Sequence, residues 1–408
     1  MGKSNDELRH VLVIGSGIAG LAFALFMKRA GIRCSVFEAY PYTENVGGGL
    51  NVAPNGMNVL AELGIAEALI DLGTPTRDFV FQSNRGRELA RFRYGDPKKY
   101  GQPAVSMLRS TLYKELVRAI KRESVEIQFE KRLVSLEETS NGVTATFADG
   151  TSVEGHLLIG ADGVQSAVRE HLLPDGPSAS YVGLVAVAGF PSIADIPSMC
   201  PSDAADMFYT FGPNGFFGYS GGDAGGLMWW ANLPLKREYS SDELRNFRWS
   251  DAQKELLARF KDYPRPIEEL IAKTKEPLRL NIFDVQSLPR SHKGRVALIG
   301  DAAHAVSPDA GQGASMALED AEYLAKLLRD CDNYKQAFEW FEEDRKPRAE
   351  KIAAEGRARA SEKEIVSKFH SVIRNALIAI FVPLGKYGTD WILRYKIPWE
   401  KPGRLRSR

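Results

Sequence analysis

Short, mostly apolar runs open the chain and return near residue 295. "HVLVIG" (10–15), "CSVFEA" (34–39) and "RVALIG" (295–300) have this character, which is typical of strands buried on both faces of a parallel sheet. Between the first two, "LAFALFMKRAG" (21–31) has helical spacing, two basic residues in its last turn and a terminal glycine. The order predicts a strand–helix–strand unit with a right-handed crossover.

The middle of the chain follows a different pattern. Short strands separated by Asn-Gly and Asp-Gly turn signals fill residues 124–163. From about 178 to 285, aromatic runs punctuated by glycines indicate an antiparallel sheet with a packed aromatic face. From Gly313 onward the pattern is helical almost to the end of the sequence.

These patterns predict an α/β fold, in which a Rossmann-like dinucleotide-binding domain carries an inserted antiparallel-sheet substrate domain and C-terminal helices. The predicted boundaries are 1–177 for the first part of the dinucleotide-binding domain, 178–285 for the substrate domain, 286–370 for the second part with its long helix, and 371–408 for the C-terminal helical segment.

Composition narrows the class of protein. With 408 residues and 44% hydrophobic content the chain can bury a sizeable core, and a net charge of +1 gives no electrostatic footprint for nucleic acid. The three cysteines are far apart and fit neither a disulfide framework nor a metal site, so we expect a reduced, cytoplasmic setting and no bound metal. The most apolar run, "ALIAIFVPL" (376–384), is too short to span a bilayer. We expect it to close a core, with contact to a membrane surface as the alternative and no stable insertion.

A glycine-rich hexamer follows the first predicted strand. "GSGIAG" places Gly15, Gly17 and Gly20 in the G-x-G-x-x-G spacing between a strand and a helix, which is the context of a dinucleotide site. The first glycine permits the tight turn, the second lets the backbone approach a pyrophosphate, and the third allows close helix–strand packing. The helix N-terminus offers N–H groups to the phosphates. Glu38, at the end of the second strand, can bind ribose hydroxyls and would repel a 2′-phosphate.

A second segment, "LLIGADGVQSAVRE", again puts an acidic residue at a strand end. Asp162 and Gly163 follow the apolar run, and Arg169 lies one to two helical turns later. A strand end within the dinucleotide-binding domain is one interpretation of the Asp-Gly pair, and a type I′ hairpin turn is the other.

A third segment, "GDAAHAVSPDAGQGASMALEDA" (300–321), joins a buried strand to a long helix. Asp301 can accept a hydrogen bond from a sugar or ribityl hydroxyl at the strand end. The helix that begins after Gly311 and Gly313 has N–H groups that can face an electron-rich heterocycle. His304 either orders this loop or acts as a base.

The three segments together resemble the fingerprints of the group A flavoprotein monooxygenases, the p-hydroxybenzoate hydroxylase-like family. The resemblance covers nearly the whole chain in order and spacing, and is greatest to the branch of salicylate, urate and zeaxanthin-epoxidase-like enzymes. Two weaker matches support it. "GGGLNVAPNGMNVLAELG" (47–64) is similar to the loop and helix beside the isoalloxazine, and "SMLRSTLYKEL" is similar to the segment that supplies a flavin-contacting arginine.

The resemblance implies FAD as the cofactor and gives each residue a role. Gly15, Gly17 and Gly20 would cradle the pyrophosphate, and Glu38 would bind the adenosine ribose. Gly49 and Arg109 would contact the flavin side, Asp162 would contact FAD and, transiently, NAD(P)H, and Asp301 would bind a ribityl or ribose hydroxyl. The backbone of Gly311, Gly313 and Ala314 would meet the flavin ring, Pro308 would lie over the flavin face near the substrate, and Tyr219, in the aromatic sheet, would make a polar contact with the substrate.

The same resemblance implies the reaction. NADH or NADPH visits transiently and reduces the flavin, which reacts with O2 to a C4a-(hydro)peroxide that oxygenates a small molecule. Relatives acting on urate or phenolate-like substrates often carry an arginine near the position of Ala188, where this chain has no charged residue. We therefore expect hydroxylation of a neutral, apolar aromatic or polycyclic substrate by a monomer or homodimer.

Three other functions fit parts of the pattern. The alternatives are epoxidation of an alkene, reduction at a membrane surface, and FAD binding without redox turnover. A flavin halogenase is disfavoured because "LMWWANLP" has adjacent tryptophans instead of the spaced pair of those enzymes.

Overall fold

A computed structural model describes residues 10–43, 47–307, 310–361, 368–382 and 388–405. The strands, in chain order, are β1 (Val11–Ile14), β2 (Cys34–Phe37), β3 (Gly49–Val52), β4 (Thr74–Thr76), β5 (Asp78–Ser83), β6 (Glu88–Arg93), β7 (Ala104–Leu108), β8 (Glu126–Gln128), β9 (Leu133–Glu138), β10 (Val143–Phe147), β11 (Ser152–Gly155), β12 (Leu157–Gly160), β13 (Ala179–Gly189), β14 (Met207–Gly212), β15 (Gly215–Gly221), β16 (Leu227–Pro234), β17 (Leu278–Val285), β18 (His292–Lys293) and β19 (Val296–Leu298).

Helices separate and cover these strands. They are α1 (Ile18–Arg29), α2 (Pro54–Glu62), α3 (Ala66–Leu72), α4 (Pro97–Tyr100), α5 (Arg109–Arg122), α6 (Ala167–Leu172), α7 (Ser241–Arg245), α8 (Trp249–Arg259), α9 (Ile267–Lys273), α10 (Asp301–His304), α11 (Gly313–Asp330), α12 (Tyr334–Ser361), α13 (Lys368–Phe381) and α14 (Asp390–Leu393).

A six-stranded sheet organises the predicted dinucleotide-binding part of the chain. Its spatial order is β18-β19-β12-β1-β2-β8, and its neighbours are parallel except for β18 with β19. Strands β1, β2, β12 and β19 are buried along their whole length, as their uninterrupted apolar runs predict. The prediction of an α/β fold with a Rossmann-like strand–helix–strand start is confirmed. Because the carboxyl ends of parallel strands meet at one edge, the loops after β1, β12 and β19 come together there.

A seven-stranded sheet forms the second half, in the order β17-β13-β16-β15-β14-β5-β6. Five of its strands come from the predicted substrate region, but β5 and β6 come from 78–93. Strand β5 pairs in parallel with β14, with Tyr209 beside Phe81. The predicted range 178–285 omits this hairpin, because the pairing joins segments far apart in the sequence.

Two three-stranded sheets connect these units, in the orders β11-β10-β9 and β3-β7-β4. The first is the antiparallel meander that the Asn-Gly and Asp-Gly turns predict. In the second, β3 and β4 flank β7 in antiparallel register, so the loop before β3 lies beside the start of α5.

The largest core lies between the six-stranded sheet and a layer of helices. Helix α11 packs against α1, α2 and α12, and its residues from Ser315 to Leu328 are all buried. The side chains of α1 from Ile18 to Met27 are buried as well. The two helices that follow the glycine segments are therefore held rigidly against each other.

Helix α13 rests on the seven-stranded sheet through Ile378, next to Val382. Its opposite side exposes apolar side chains such as Phe369 and Ile380. The apolar run 376–384 therefore does close a core over part of its length, although residues 383 and 384 fall outside the described ranges. None of the helices in those ranges combines the length and apolar character that a membrane crossing needs.

Candidate functional site

The glycines after β1 form a tight turn in which two of the three positions leave no room for a side chain. Gly15 has φ +103°, and a Cβ there would lie 2.8 Å from the Cα of Asp162. A Cβ on Gly20 would overlap the carbonyl of Gly15. At Gly17, by contrast, a Cβ would meet nothing within 4 Å, and no side chain caps the N-terminus of α1. The N–H groups of α1 thus face open space, where an anion is favoured.

Glu38 follows β2 and is fixed beside this turn. Its Oε2 accepts hydrogen bonds from the backbone N of Ser16 at 2.8 Å and from Ser16 Oγ at 3.0 Å. Its Oε1 accepts from the N of Tyr40 at 3.1 Å. The carboxylate therefore reaches the glycine turn, and its binding of ribose hydroxyls stays a prediction. Ser16, the variable position inside the hexamer, is a partner that the sequence reasoning missed.

Asp162 lies at the carboxyl end of β12, and the hairpin interpretation of Asp162-Gly163 is wrong because β12 is parallel to both its neighbours. Its Oδ1 accepts from Ser166 Oγ at 2.5 Å and its Oδ2 from Val168 N at 3.1 Å. Burial raises the pKa of the Asp162 carboxyl, although the hydrogen bonds from Ser166 and Val168 act to lower it. A Cβ on Gly163 would meet nothing within 4 Å. Asp162 thus holds its own loop in shape, and the loop leaves open space beside Gly163.

Arg169 ties the second segment to the third. It is 1% exposed, and its guanidinium donates to the carbonyls of Ala302 at 3.1 Å and Val164 at 2.6 Å. Burial lowers its pKa, with Asp162 acting in the opposite direction. Arg169 therefore fixes the loop after β12 relative to the loop after β19 from a buried position.

The third segment turns sharply at Gly300, where φ is +59°. A Cβ there would lie 3.0 Å from the Cβ of Ala19 and 3.3 Å from that of Ala317, on α1 and α11. Asp301, the first residue of α10, is exposed. Its Oδ1 lies 4.0 Å from where a Cβ on Gly313 would stand. The Asp301 carboxylate is thus brought to the start of α11.

The start of α11 resembles that of α1. Gly311 has φ +62°, a Cβ on it would meet nothing within 4 Å, and no side chain caps the helix at Gln312. Gly313 and Ala314 form the first turn. Pro308, predicted to lie over the flavin, falls outside the described residues.

A buried ionic network holds this third segment in place. Asp320 Oδ2 accepts from the N of Gly300 at 2.9 Å and lies 2.5 Å from His304 Nε2, and its Oδ1 accepts from Arg345 Nε at 2.7 Å. Burial opposes ionisation of Asp320, but His304 and Arg345 lower its pKa well below the usual value. Burial also opposes charge on His304, and Asp320 outweighs it, so the pKa of His304 is raised. His304 therefore orders the loop, as one of the two interpretations predicts.

A second carboxylate extends the network to α2. Glu319 pairs with Arg345 at 2.6 Å and Arg348 at 2.7 Å, and accepts from Asn55 Nδ2 at 2.6 Å. The same Asn55 nitrogen lies 3.0 Å from Gln312 Oε1. The residue before α11 is thus linked to the loop-helix segment 47–64.

Gly49 and Arg109 lie close together, because Gly49 on β3 pairs with Leu108, the residue before Arg109. The backbone N of Arg109 donates to Gly48 O at 2.8 Å, and a Cβ on Gly47 would lie 2.8 Å from Arg109 Cδ. Gly49 is crowded by Met228. The seven-stranded sheet therefore approaches this loop through Met228, and we call the side of the sheet that carries Met228 the inner face.

Strand alternation assigns the aromatic residues to two faces. The inner face carries Phe79, Phe81, Tyr209, Phe211, Phe216 and Trp230. The outer face carries Phe208, Phe217, Tyr219 and Trp229, covered by α8 and α9. The inner face is tied to the third segment, because Phe79 stacks on Tyr94 at 4.0 Å and the Tyr94 hydroxyl lies 3.4 Å from Gln312 Nε2.

Tyr219 lies on the outer face and is not brought together with the other predicted residues. It is 3% exposed, stacks on Phe208 at 4.7 Å, and its hydroxyl accepts from Gln82 Nε2 at 3.3 Å. Burial raises the pKa of this phenol. Tyr219 is thus a core residue in this structure, instead of the substrate contact that the sequence predicts, because α8 and α9 cover the face on which it stands.

The converging residues fit FAD. Two uncapped helix N-termini and open space at Gly17 and Gly311 suit phosphates and an electron-rich ring. Carboxylates at Glu38 and Asp301 suit sugar and ribityl hydroxyls. Among the described residues, no group of histidine, cysteine and acidic side chains could hold a metal ion.

Comparison with known proteins points the same way. A family model described as FAD binding domain matches residues 9–355. The 3-amino-4-hydroxybenzoate 2-monooxygenase PtmB3 of Streptomyces platensis is 33% identical over 371 residues, covering 88% of this chain and 89% of that protein. The FAD-dependent urate hydroxylase of Klebsiella pneumoniae is 32% identical over 352 residues, covering 85% and 88%. The crystal structure of Klebsiella pneumoniae HpxO complexed with FAD and uric acid matches with a TM-score of 0.82 and 27% identity, covering 94% of this chain and 97% of that one.

Proposed function

Because the chain belongs to the FAD-binding-domain family of the group A flavoprotein monooxygenases, we propose that it hydroxylates a neutral, largely apolar aromatic or polycyclic molecule. The chain is an FAD-dependent monooxygenase, and its family uses NAD(P)H and O2. Its relatives are named for small aromatic substrates, including urate and aminohydroxybenzoate. The proposal concerns which aromatic substrate this chain accepts.

The residues around the open space have distinct tasks in this proposal. The N-terminus of α1 at Gly17 holds the pyrophosphate, with Gly15 and Gly20 allowing the turn. Glu38 and Asp301 bind hydroxyls of the ribose and ribityl chain. When bound, FAD passes electrons from NAD(P)H to O2 and delivers one oxygen atom to the substrate.

Further residues orient the flavin ring in this proposal. The backbone from Gly311 to Ala314 meets one edge, and Gly49 and Arg109 lie at the other. Asp162, held by Ser166 and Val168, keeps the second loop in place. The buried network around Asp320 holds Gly300 and therefore Asp301 in position.

The observation that carries the substrate class is the inner face of the seven-stranded sheet. It presents the half-buried side chains of Tyr209 and Trp230, with Met228 next to the flavin loop. Ile378 and Val382 cover the part of the same face that carries Phe211 and Phe216. Ala188 pairs with Trp230 on one side and Leu278 on the other. The positions around Ala188 are apolar, so a neutral ring gains contacts there that a carboxylate does not. Arg374 of α13 lies over Phe211 at 5.5 Å, and its guanidinium donates to Gly212 O at 3.1 Å.

A matched pair of substrates tests the proposal. FAD-loaded protein is assayed with 1-naphthol and 1-naphthoate, which share a ring system and differ in charge at pH 7. We expect 1-naphthol to stimulate NAD(P)H oxidation and to gain one oxygen atom by mass, with an about tenfold or greater advantage in kcat/KM, roughly 1.4 kcal/mol. Equal or better turnover of 1-naphthoate would contradict the neutral substrate class.

A pair of variants tests the assigned face. Trp230→Leu removes an inner-face ring, and we expect KM for the neutral aromatic to rise about tenfold, since a buried aromatic contributes a few kcal/mol at most. Phe208→Leu, on the outer face, is the matched control and should leave KM within about twofold. Equal effects of the two variants on KM would contradict the assignment of the inner face.

A further inference from the structure

A cavity of about 230 Å³ lies between α2, α11, residues 101–102 after α4 and the segment that follows α14. None of the predicted cofactor-binding residues lines it. Its polar lining comes from Asn55, Asn58, Glu62, Gln102, Glu319, Glu322, Tyr395 and Lys396. It is larger than the cavity of about 150 Å³ that admits benzene in another protein, so a small organic molecule can enter it.

Two buried acceptors in this lining lack donors. Glu322 and Asn55 are each 1% exposed, and Glu322 Oε1 and Asn55 Oδ1 have no hydrogen-bond partner among the described residues. The Nδ2 of Asn55 is already used by Gln312 and Glu319. Because buried polar atoms are nearly always satisfied, the two acceptors indicate a donor in the cavity.

The charges around Glu322 favour a cation as that donor. Burial raises its pKa to about 9, and Glu62 and Glu319 add to the shift. Arg29 and Lys326 act in the opposite direction, but both have other partners.

Those partners keep the two cations from neutralising Glu322. Arg29 pairs with Glu400 at 2.6 Å, and Lys326 with Asp330 at 2.7 Å. Lys396 is exposed. Glu322 is thus a carboxyl that stays protonated at neutral pH unless a cation enters beside it.

We propose that the cavity binds a small organic cation whose ammonium group donates hydrogen bonds to Glu322 Oε1 and Asn55 Oδ1. A metal ion is disfavoured, because Ca²⁺ requires six to eight oxygen ligands and the described residues offer no cluster of three suitable side chains. Binding converts Glu322 from the acid to the carboxylate, so one proton is released to solvent for each ammonium bound. The site adjoins the flavin clamp through Asn55 and Gln312.

Isothermal titration with ethylammonium chloride tests this directly on the purified protein, loaded with FAD. Titrations at pH 7 in buffers of different ionisation enthalpy give the number of protons released. We expect saturable one-to-one binding with about one proton released and an affinity that rises nearly tenfold per pH unit below pH 9. Tetramethylammonium has the same charge without N–H donors and should bind at least tenfold more weakly.

A variant pair separates the site from general effects of charge. Glu322→Gln keeps the shape and should abolish proton release and weaken ethylammonium binding at least tenfold. Glu67→Gln, an exposed glutamate on α3 that does not line the cavity, should leave both unchanged. Absence of ethylammonium binding, equal binding of tetramethylammonium, or full binding by the Glu322→Gln variant would overturn the proposal. Because no turnover is measured, the result is independent of the proposed function.

Discussion

Replacing Asp320 by asparagine removes the charge at the centre of the buried network while keeping the side chain's shape. The carboxylate accepts from Gly300 N, His304 Nε2 and Arg345 Nε, at 2.9, 2.5 and 2.7 Å. An asparagine has one acceptor oxygen, so its amide nitrogen must face at least one of these three donors.

The expected loss of stability follows from this geometry. Asp320 is 0% exposed, and Arg345 is 2% exposed. Breaking a buried ion pair by neutralising one partner costs about 3–5 kcal/mol, and we expect the variant to lose about 4 kcal/mol of unfolding free energy. FAD affinity should fall as well, because Gly300 and the adjoining Asp301 are no longer held.

The pH dependence gives a second signature. Because Asp320 raises the pKa of His304 above 6.5, their pairing adds stability that is full below about pH 6.5 and is lost as the pH rises through the raised pKa. In the variant this step should disappear, so the difference in unfolding free energy between wild type and variant should shrink as the pH rises through that window. The fall in stability caused by Glu322, whose pKa is raised to about 9, is common to both proteins.

Urea unfolding of the apoprotein from pH 5 to pH 9, with FAD titration at pH 7, measures both effects. Asp242→Asn is the control: its carboxylate pairs with Arg245 at 3.1 Å, is 83% exposed, and should cost less than about 1 kcal/mol. A loss below 1 kcal/mol in Asp320→Asn, with unchanged FAD affinity, would refute the assigned role of the network.

Three further substitutions address single positions. Gly17→Ala should fold normally, because its Cβ meets nothing within 4 Å, yet should weaken FAD binding at least tenfold; flavin fluorescence titration measures this, and unchanged affinity would mean that phosphate does not approach there. Asp301→Ala removes a charged acceptor worth about 1.5–3 kcal/mol and should raise the FAD dissociation constant by roughly ten- to hundredfold, whereas full retention of yellow cofactor would count against the clamp. Tyr219→Phe deletes only the hydroxyl bonded to Gln82, so kcat/KM should stay within about twofold while the unfolding free energy falls by about 1 kcal/mol. A large loss of kcat/KM would show that Tyr219 does contact the substrate.

The dinucleotide-binding half could be predicted from sequence because its signals are local. Each buried parallel strand is a continuous apolar run, and the glycine spacing reports a turn that excludes a Cβ at Gly15 and Gly20. The acidic residues Glu38, Asp162 and Asp301 follow such strands, and parallel pairing brings those strand ends to one edge.

Long-range pairing and the covering of a face could not be predicted in this way. The hairpin of β5 and β6 joins β14 across more than a hundred residues of chain. Alternation places Tyr219 and Phe208 on one face, but only the positions of α8 and α9 decide that helices cover these two residues. In the same way, only the position of α13 decides which inner-face rings are covered. The buried pairs of Glu319 and Asp320 sit on a helix whose polar residues look solvated until α12 supplies Arg345.

Equilibrium titration of the purified apoprotein with FAD tests the central claim most directly, that three distant segments converge on one flavin. We predict a single saturable site, a shifted flavin absorbance spectrum, and binding that is at least about tenfold weaker in Gly17→Ala and in Asp301→Ala alike. Protein that remains colourless after incubation with FAD, while its unfolding transition stays cooperative, would contradict the account.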